Sequence, residues 1–528
     1  MKHYIDNFAH DNLPSIDLQP DYLRDLPQFQ HPEMLNCVER LLDSHIKNGN
    51  GDATCLRTFE ETWTYKDLYE KANQIAHVLI DDLGLISGNR VLLRSANNPM
   101  MVACWFAVLK AGGIVVATMP LLRAKEITTI IDCAEIAIAL CDSDLEEELN
   151  QVDSKFLKQK SFYRNGDLEQ LMHLKPKTFS NYNSKSNSVA LIGFTSGTTG
   201  IPKMTAHFHK DILNICEAFP VYSLQPNKED VFIGSPPLGF TFGLGGLVLF
   251  PMYFGASSFL IEKPSPELLL KAIQEYKVTI CFTAPTAWRV ITTKLHEFDV
   301  SSLRKCVSAG ETLPLQVWQD WYEATGIKII DGIGATEMLH IFISSNEQNM
   351  KPGATGVPIL GYEAKIINEF GNKLPANQPG KLAVRGITGC KYLNREEKQR
   401  EYVQNGWNIT GDIFKQDEDG YFWFVARGDD MIISSGYNIA AIEVESVLLT
   451  HEAILECAVV GIPDKERGML VTANIVLKNP KLASEELIKE IQNWFKEVAA
   501  PYKYPRKITF ISSLPKTETG KIQRFKLK

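Results

Sequence analysis

The densest run of chemistry-bearing residues is Thr195-Ser196-Gly197-Thr198-Thr199-Gly200-Ile201-Pro202-Lys203, in which six of nine positions are Ser, Thr or Gly. Hydroxyl groups and open backbone N–H groups suit an anion, and glycine lets the backbone approach a ligand closely. Lys203 adds a point charge, so the run is built for a polyanion such as a chain of phosphates. It does not follow the pattern G-x-x-x-x-G-K-[ST], because Lys203 follows Ile-Pro and precedes Met204. That excludes a P-loop nucleotide hydrolase. Taken alone, the run also reads as a flexible Gly/Ser/Thr turn.

Other candidate groups lie far downstream. Glu337, in Asp331-Gly-Ile-Gly-Ala-Thr-Glu337, offers a hard oxygen suited to Mg²⁺, which usually takes one or two carboxylates beside substrate phosphates. The competing reading for Thr336 and Glu337 is a helix N-terminal cap. Asp412 follows Thr410-Gly411 and is expected at a turn, where capping is its ordinary job. Arg427 opens a charged break, and a surface ion pair is its bland alternative. Lys521 ends Pro515-Lys-Thr-Glu-Thr-Gly-Lys521, with Lys516, Arg524, Lys526 and Lys528 nearby.

These groups need elements to hold them. Arg90–Arg94 reads as a strand, Met100–Lys110 as a helix stopped by Gly112-Gly113, and Ile114–Ala117 as a second strand. Such βαβ units imply a parallel sheet covered by helices. Val231–Gly234 with the apolar run Leu247–Phe250, then Val278–Phe282, repeat the unit. Lys175–Ser188 is a solvated connection that ends where the buried strand Val189–Phe194 begins, so the phosphate run follows a strand end, where ligands of open α/β sheets bind. After about residue 360 strands look shorter and turns more frequent. Arg427–Asp430 suits a hinge. Beyond it, Ile442–Thr450 reads as a helix, Ala458–Ile462 and Val471–Leu477 as strands, and Ser484 as the cap of a helix with apolar residues at Leu487, Ile488, Ile491, Trp494, Phe495 and Val498.

The chain has 528 residues, 45% hydrophobic and 22% charged, so it needs more than one core. The fold class expected is α/β: a large N-terminal domain (residues 1–428) of several subdomains, with parallel-sheet βαβ units plus a β-rich part, then a small mobile α/β domain (429–528). A formal net charge of −8 argues against a nucleic-acid surface. The ten cysteines form no C-x-x-C pair and read as buried thiols, which fits a cytoplasmic setting. The start of the chain lacks an apolar signal core. Met100–Leu122 is broken by Lys110, Gly112 and Gly113, so no membrane span is expected.

Read in order, Thr195–Lys203, Ser308–Pro314, Asp331–Glu337, Thr410–Asp412, Arg427–Ile432, Gly436–Ile439 and Pro515–Lys521 resemble the motifs of the adenylate-forming superfamily of acyl-CoA synthetases, peptide-synthetase adenylation domains and firefly luciferase. The resemblance covers nearly the whole chain. It implies an ATP-dependent acid–thiol ligase that joins a carboxylic acid to coenzyme A through an acyl-AMP, with Mg²⁺ on Glu337. It assigns ATP contacts to Thr195, Ser196, Gly197, Thr198, Thr199, Gly200 and Lys203, to Ala309, Gly310, Glu311, Asp331, Gly332 and Ile333 around adenine, to Asp412 at the ribose, and to Arg427 at the ribose or a phosphate. Ile333 departs from the family, where an aromatic residue often stacks on adenine. Thr336 would bond the α-phosphate, Lys521 would bridge the acid and the α-phosphate, Asp429 would be the hinge, and Gly436 would line the thiol channel.

The acyl pocket expected from the same motifs comprises Phe240, Phe242, Gly246, Ala309, Gly310, His340 and Ile341. Phe240–Gly246, Glu337–Phe342 and the N-terminal Phe8–Pro14 look most like benzoate-CoA and 2-aminobenzoate-CoA ligases, which implies a flat aromatic acid. His340 would orient the ring or bond an ortho substituent, or simply be a satisfied wall residue. The alternatives are a short- or medium-chain fatty acid, and a carrier-protein phosphopantetheine in place of CoA. The family leaves the oligomeric state open, a homodimer included.

Overall fold

The computed structural model describes residues 4–195, 202–427, 431–434, 437–464, 467–499, 503–516 and 522–528. A six-stranded sheet carries the strands Gln159–Tyr163, Ile138–Asp142, Arg90–Arg94, Ile114–Thr118, Val189–Thr195 and Lys203–Phe208 in that order. The first five run parallel, and the last turns back as an antiparallel hairpin. The helix Pro99–Lys110 starts on Asn98, whose side chain accepts from the Met101 N–H, with proline at its first position. Every residue of it except Met100 is buried, which accounts for its apolar composition without a bilayer.

A nine-stranded sheet is built the same way. Its central strands, Thr54–Arg57, Ser257–Phe259, Val231–Gly234, Ile280–Thr283, Lys305–Ala309 and Ile329–Gly334, are parallel. At one side Ile329–Gly334 turns back into the antiparallel strand Ile341–Ser344. Each large sheet therefore carries an antiparallel hairpin toward one edge, and the two hairpins face each other. The apolar run Leu247–Phe250 is helical.

The third sheet spans residues 362–427 and is wholly antiparallel. Strands here are not shorter than before: Trp407–Gln416 has 10 residues and, further on, Ile454–Asp464 has 11. The turn-rich texture comes from tight connections between long strands. Asp412 accordingly lies inside Trp407–Gln416 and pairs across with Arg427, not at a turn. Gly411 lies in the same strand, beside the Arg427 guanidinium.

Residues 432–510 bury a core of their own around Ile432, Val444, Val459, Ile475, Ile491 and Phe495. Ser484 caps the helix Glu485–Val498 by accepting from the Leu487 N–H. At the other end of the chain, residues 21–24 strap onto the third sheet. Asp21 N–H donates to Gly406 O (2.9 Å), Leu23 N–H to Gly386 O (3.1 Å) and Arg24 Nε to Ile387 O (2.9 Å). All ten cysteines are free, and all but the half-buried Cys133 are buried.

Candidate active site

The two hairpins meet at Gly193 and Thr336. A Cβ on Gly193 would stand 2.7 Å from Thr336 Cγ2, so only glycine allows the contact. Behind the tip of the second hairpin, His207 Nε2 lies 2.7 Å from Thr336 O. A carbonyl only accepts, so this nitrogen carries the proton. Burial, helped by the nearby Lys391, pushes the imidazole down to about 3, and it stays neutral. Thr388 Oγ1 donates to Met338 O at 2.6 Å from the other side. Held between them, Leu339 adopts φ +69°, an unusual value for a residue with a Cβ. That kink separates Thr336 and Glu337 from His340.

The meeting of hairpins brings Lys203 and Glu337 together. Lys203 Nζ is 3.9 Å from Glu337 Oε1. Between them stands Tyr392, whose hydroxyl accepts from Lys203 Nζ at 2.9 Å and donates to Glu337 Oε1 at 2.5 Å. Burial and the adjacent Glu337 push the phenol well above its usual range, so it keeps its proton. Sequence reasoning missed Tyr392: the only local sign is a Lys-Tyr pair in the otherwise weakly polar run Ile387–Leu393. The buried Thr195 Oγ1 has no hydrogen-bond partner among the described residues. No cluster of three or more His, Cys, Asp or Glu side chains fit to hold a metal occurs among the described residues, so Glu337 offers a lone carboxylate. One carboxylate beside a lysine and an open hydroxyl suits a cation that arrives with phosphates, and the donor set fits Mg²⁺ in that form.

A cavity of about 410 Å³ opens beside this corner. Gly310, Glu311, Asp331, Gly332, Ile333, Asp412 and Arg427 line it, as do Glu445, Lys516 and Arg524 from the C-terminal part. The structure thus gathers residues from motifs a hundred positions apart. Gly310, at φ +90°, presents bare backbone. Burial pushes the Asp331 carboxyl up to about 8, and its Oδ1 has no partner among the described residues. An orphaned buried oxygen facing a cavity is a place for a donor such as an exocyclic amine. Asp412 Oδ1 lies 3.3 Å from Arg427 Nη1. Ala309 is buried at the end of its strand, one residue before Gly310.

The acyl residues form an adjoining aromatic cluster. The His340 ring sits 4.6 Å from Phe250, 5.6 Å from Phe219 and 5.9 Å from Phe242, centroid to centroid. A Cβ on Gly245 would stand 2.3 Å from His340 Cδ2, and one on Gly246 2.7 Å from Phe282 Cδ1. Glycine at both positions lets the rings close in. Burial pushes His340 down to about 3, against a weaker pull from the Phe242 backbone. Phe219, Phe250 and Phe282 were not foreseen. They lie on separate elements, and only the fold unites them. Ile341 is set apart under Gly332, whose Cβ would fall 2.9 Å from Ile341 Cδ1. Phe240 precedes the short helix Thr241–Leu244 and is half-buried. Ser196, Gly197, Thr198, Thr199, Gly200, Asp429, Gly436 and Lys521 lie outside the described residues.

The model of the AMP-binding enzyme family matches residues 43–391, and that of the AMP-binding enzyme C-terminal domain matches 443–521. The chain belongs to the AMP-binding enzyme family. This AMP-binding enzyme is similar to the benzoate–CoA ligase of Thauera aromatica, at 31% identity over 96% of this chain and 98% of that protein. It is 33% identical to the human mitochondrial acyl-coenzyme A synthetase ACSM3 over 89% of this chain and 83% of the relative. The crystal structure of the anthranilate CoA ligase AuaEII in complex with anthranoyl-AMP superposes with a TM-score of 0.90 and 34% identity, covering 95% of this chain and 98% of that one. The enzyme is an AMP-forming acid–thiol ligase using ATP, Mg²⁺ and coenzyme A. No helix among the described residues is long and apolar enough to cross a membrane.

Proposed function

We propose that this enzyme converts an aromatic acid such as benzoate or 2-aminobenzoate to its CoA thioester through an aroyl-AMP. The observation that carries the reading is the aromatic wall that Phe219, Phe242 and Phe250 form around neutral His340, packed close because Gly245 and Gly246 lie against His340 and Phe282. The similarity to a benzoate–CoA ligase and to an anthranilate CoA ligase supports it. The buried thiols favour a cytoplasmic setting.

A carboxylate acylates poorly because its leaving group would be oxide. Attack on the α-phosphate of ATP forms the mixed anhydride and releases pyrophosphate. An anion then attacks a polyanion, so positioning and charge stabilisation must supply most of the catalysis. In this reading the 195–203 segment and Lys203 hold the β- and γ-phosphates, Asp412 and Arg427 the ribose, and Asp331 with Gly310 the adenine. Thr336 bonds the α-phosphate, and Lys521 bridges it to the acid. Mg²⁺ on Glu337 would supply further shielding of phosphate charge. In the second half-reaction the CoA thiol attacks the acyl carbonyl and AMP leaves. Residues 429–528 form the mobile domain, with Asp429 as hinge and Gly436 beside the thiol.

Pyrophosphate release over a panel of aryl and alkyl acids, with and without CoA, tests the proposal. Benzoate-type acids should give the highest kcat/KM, with CoA-dependent turnover. Preference for straight-chain acids would reject the aromatic reading. Turnover with a carrier-protein phosphopantetheine but not with CoA would reject CoA as acceptor.

A further inference from the structure

Tyr392 is more firmly built than a passive neighbour of Glu337 would need to be. Its N–H donates to Gln399 Oε1 at 2.8 Å, while Gln399 Nε2 donates to Leu18 O (2.9 Å) and Cys390 O (3.0 Å). The residue before it, Lys391, is pinned on the opposite side to Asp211. A β-bridge ties Tyr392 to Thr205 on the strand that begins with Lys203. The ring meets Tyr402 edge-on at 5.6 Å, and Lys203 Nζ also stands 4.6 Å from its centroid. The hydroxyl is thus fixed before any ligand arrives. It occupies one oxygen of Glu337, Oε1, and leaves the other without a hydrogen-bond partner among the described residues.

We propose that Tyr392 is a positioning residue that holds Glu337 and Lys203 at a set spacing, so that one carboxylate oxygen faces an incoming cation and the ammonium faces its phosphates. This rests on the reading of Glu337 as the metal ligand. Partners of this kind orient a ligating carboxylate, and losing one costs tenfold or more in metal affinity. Tyr392→Phe removes only the hydroxyl and keeps the ring under Lys203.

The test is a titration of the full-length enzyme with Mn²⁺ in the presence of α,β-methylene-ATP, read by electron paramagnetic resonance. Glu337→Gln should weaken Mn²⁺ binding most, and Tyr392→Phe by about tenfold. An unchanged Glu337→Gln would remove the metal reading itself. A weakened Glu337→Gln with an unchanged Tyr392→Phe would overturn the role of Tyr392 alone. Should Tyr392→Phe not fold, 3-fluorotyrosine at position 392 gives a gentler probe. Its ¹⁹F resonance should move when Mg²⁺ is added to the nucleotide complex, and a resonance that stays put overturns the proposal.

Discussion

Lys391 and Tyr392 are neighbours in sequence, yet they serve two opposite kinds of polar assembly. Lys391 Nζ is fully buried and meets Asp211 Oδ2 at 3.1 Å, Gly389 O at 3.1 Å and Tyr22 Oη at 3.4 Å. Asp211 is filled on its other oxygen by Arg24 Nη2 at 2.8 Å, and it also accepts from the Phe208 N–H. Burial pushes the Asp211 carboxyl up, but Lys391 and Arg24 outweigh it and hold the group down to about 2. Tyr392 instead faces a corner that is only half satisfied, with Lys203 partly exposed and the Glu337 carboxylate engaged on Oε1. The closed assembly joins three parts of the fold and has no room for a ligand. The open one keeps charge in reserve for a ligand. Both are polar and buried, so burial alone does not mark a functional site; unfilled hydrogen-bonding capacity does.

Substitutions should separate the two assemblies by what they damage. Lys391→Met leaves the buried Asp211 with one of its two cations and should cost about 3 kcal/mol of stability in urea unfolding. Glu337→Gln should leave that unfolding midpoint nearly unchanged while lowering acid-dependent ATP–pyrophosphate exchange by about 10²–10³-fold. If Glu337→Gln instead destabilised as much as Lys391→Met, the corner would be architecture like its neighbour. Acid provides a third probe. The Asp211 pKa is depressed from 3.8 to about 2 on folding, so its contribution is complete above 3.8 and is lost as the pH falls toward 2. Asp211→Asn should flatten that part of the acid-unfolding curve. The smallest effect belongs to the exposed pair Glu396–Arg400, 2.7 Å apart on one helix face, where Arg400→Ala should change stability by less than about 0.5 kcal/mol.

Much of this was legible from the sequence, for physical reasons. The strand Arg90–Arg94, the helix ending at Lys110 and the capped helix after Ser484 each follow from periodicity and local signals, which do not depend on distant partners. The AMP-binding family was legible because its motifs are contiguous. Asp412 was misplaced at a turn because Thr-Gly-Asp has turn composition, while the long ladder opposite Arg427 is a tertiary fact. Tyr392 was invisible because its partners lie 55 and 189 residues away. Phe219 and Phe250 looked like ordinary core until the fold placed them around His340, with Phe282 packed against Phe219 behind them.

The strap at residues 21–24 sets a timetable for assembly. Arg24 meets Ile387 across 363 residues of chain, and the Asp211 cluster is incomplete until both Arg24 and Lys391 exist. At a synthesis rate of about 5–20 residues per second, the strap waits roughly 20–70 s for its docking strand. Until then Asp211 lacks Lys391, the later-made of its two cations, and the first sheet must form with an unfinished seam. Nascent chains should therefore stay protease-sensitive in this segment until the third sheet has emerged, whatever the state of the domain that follows.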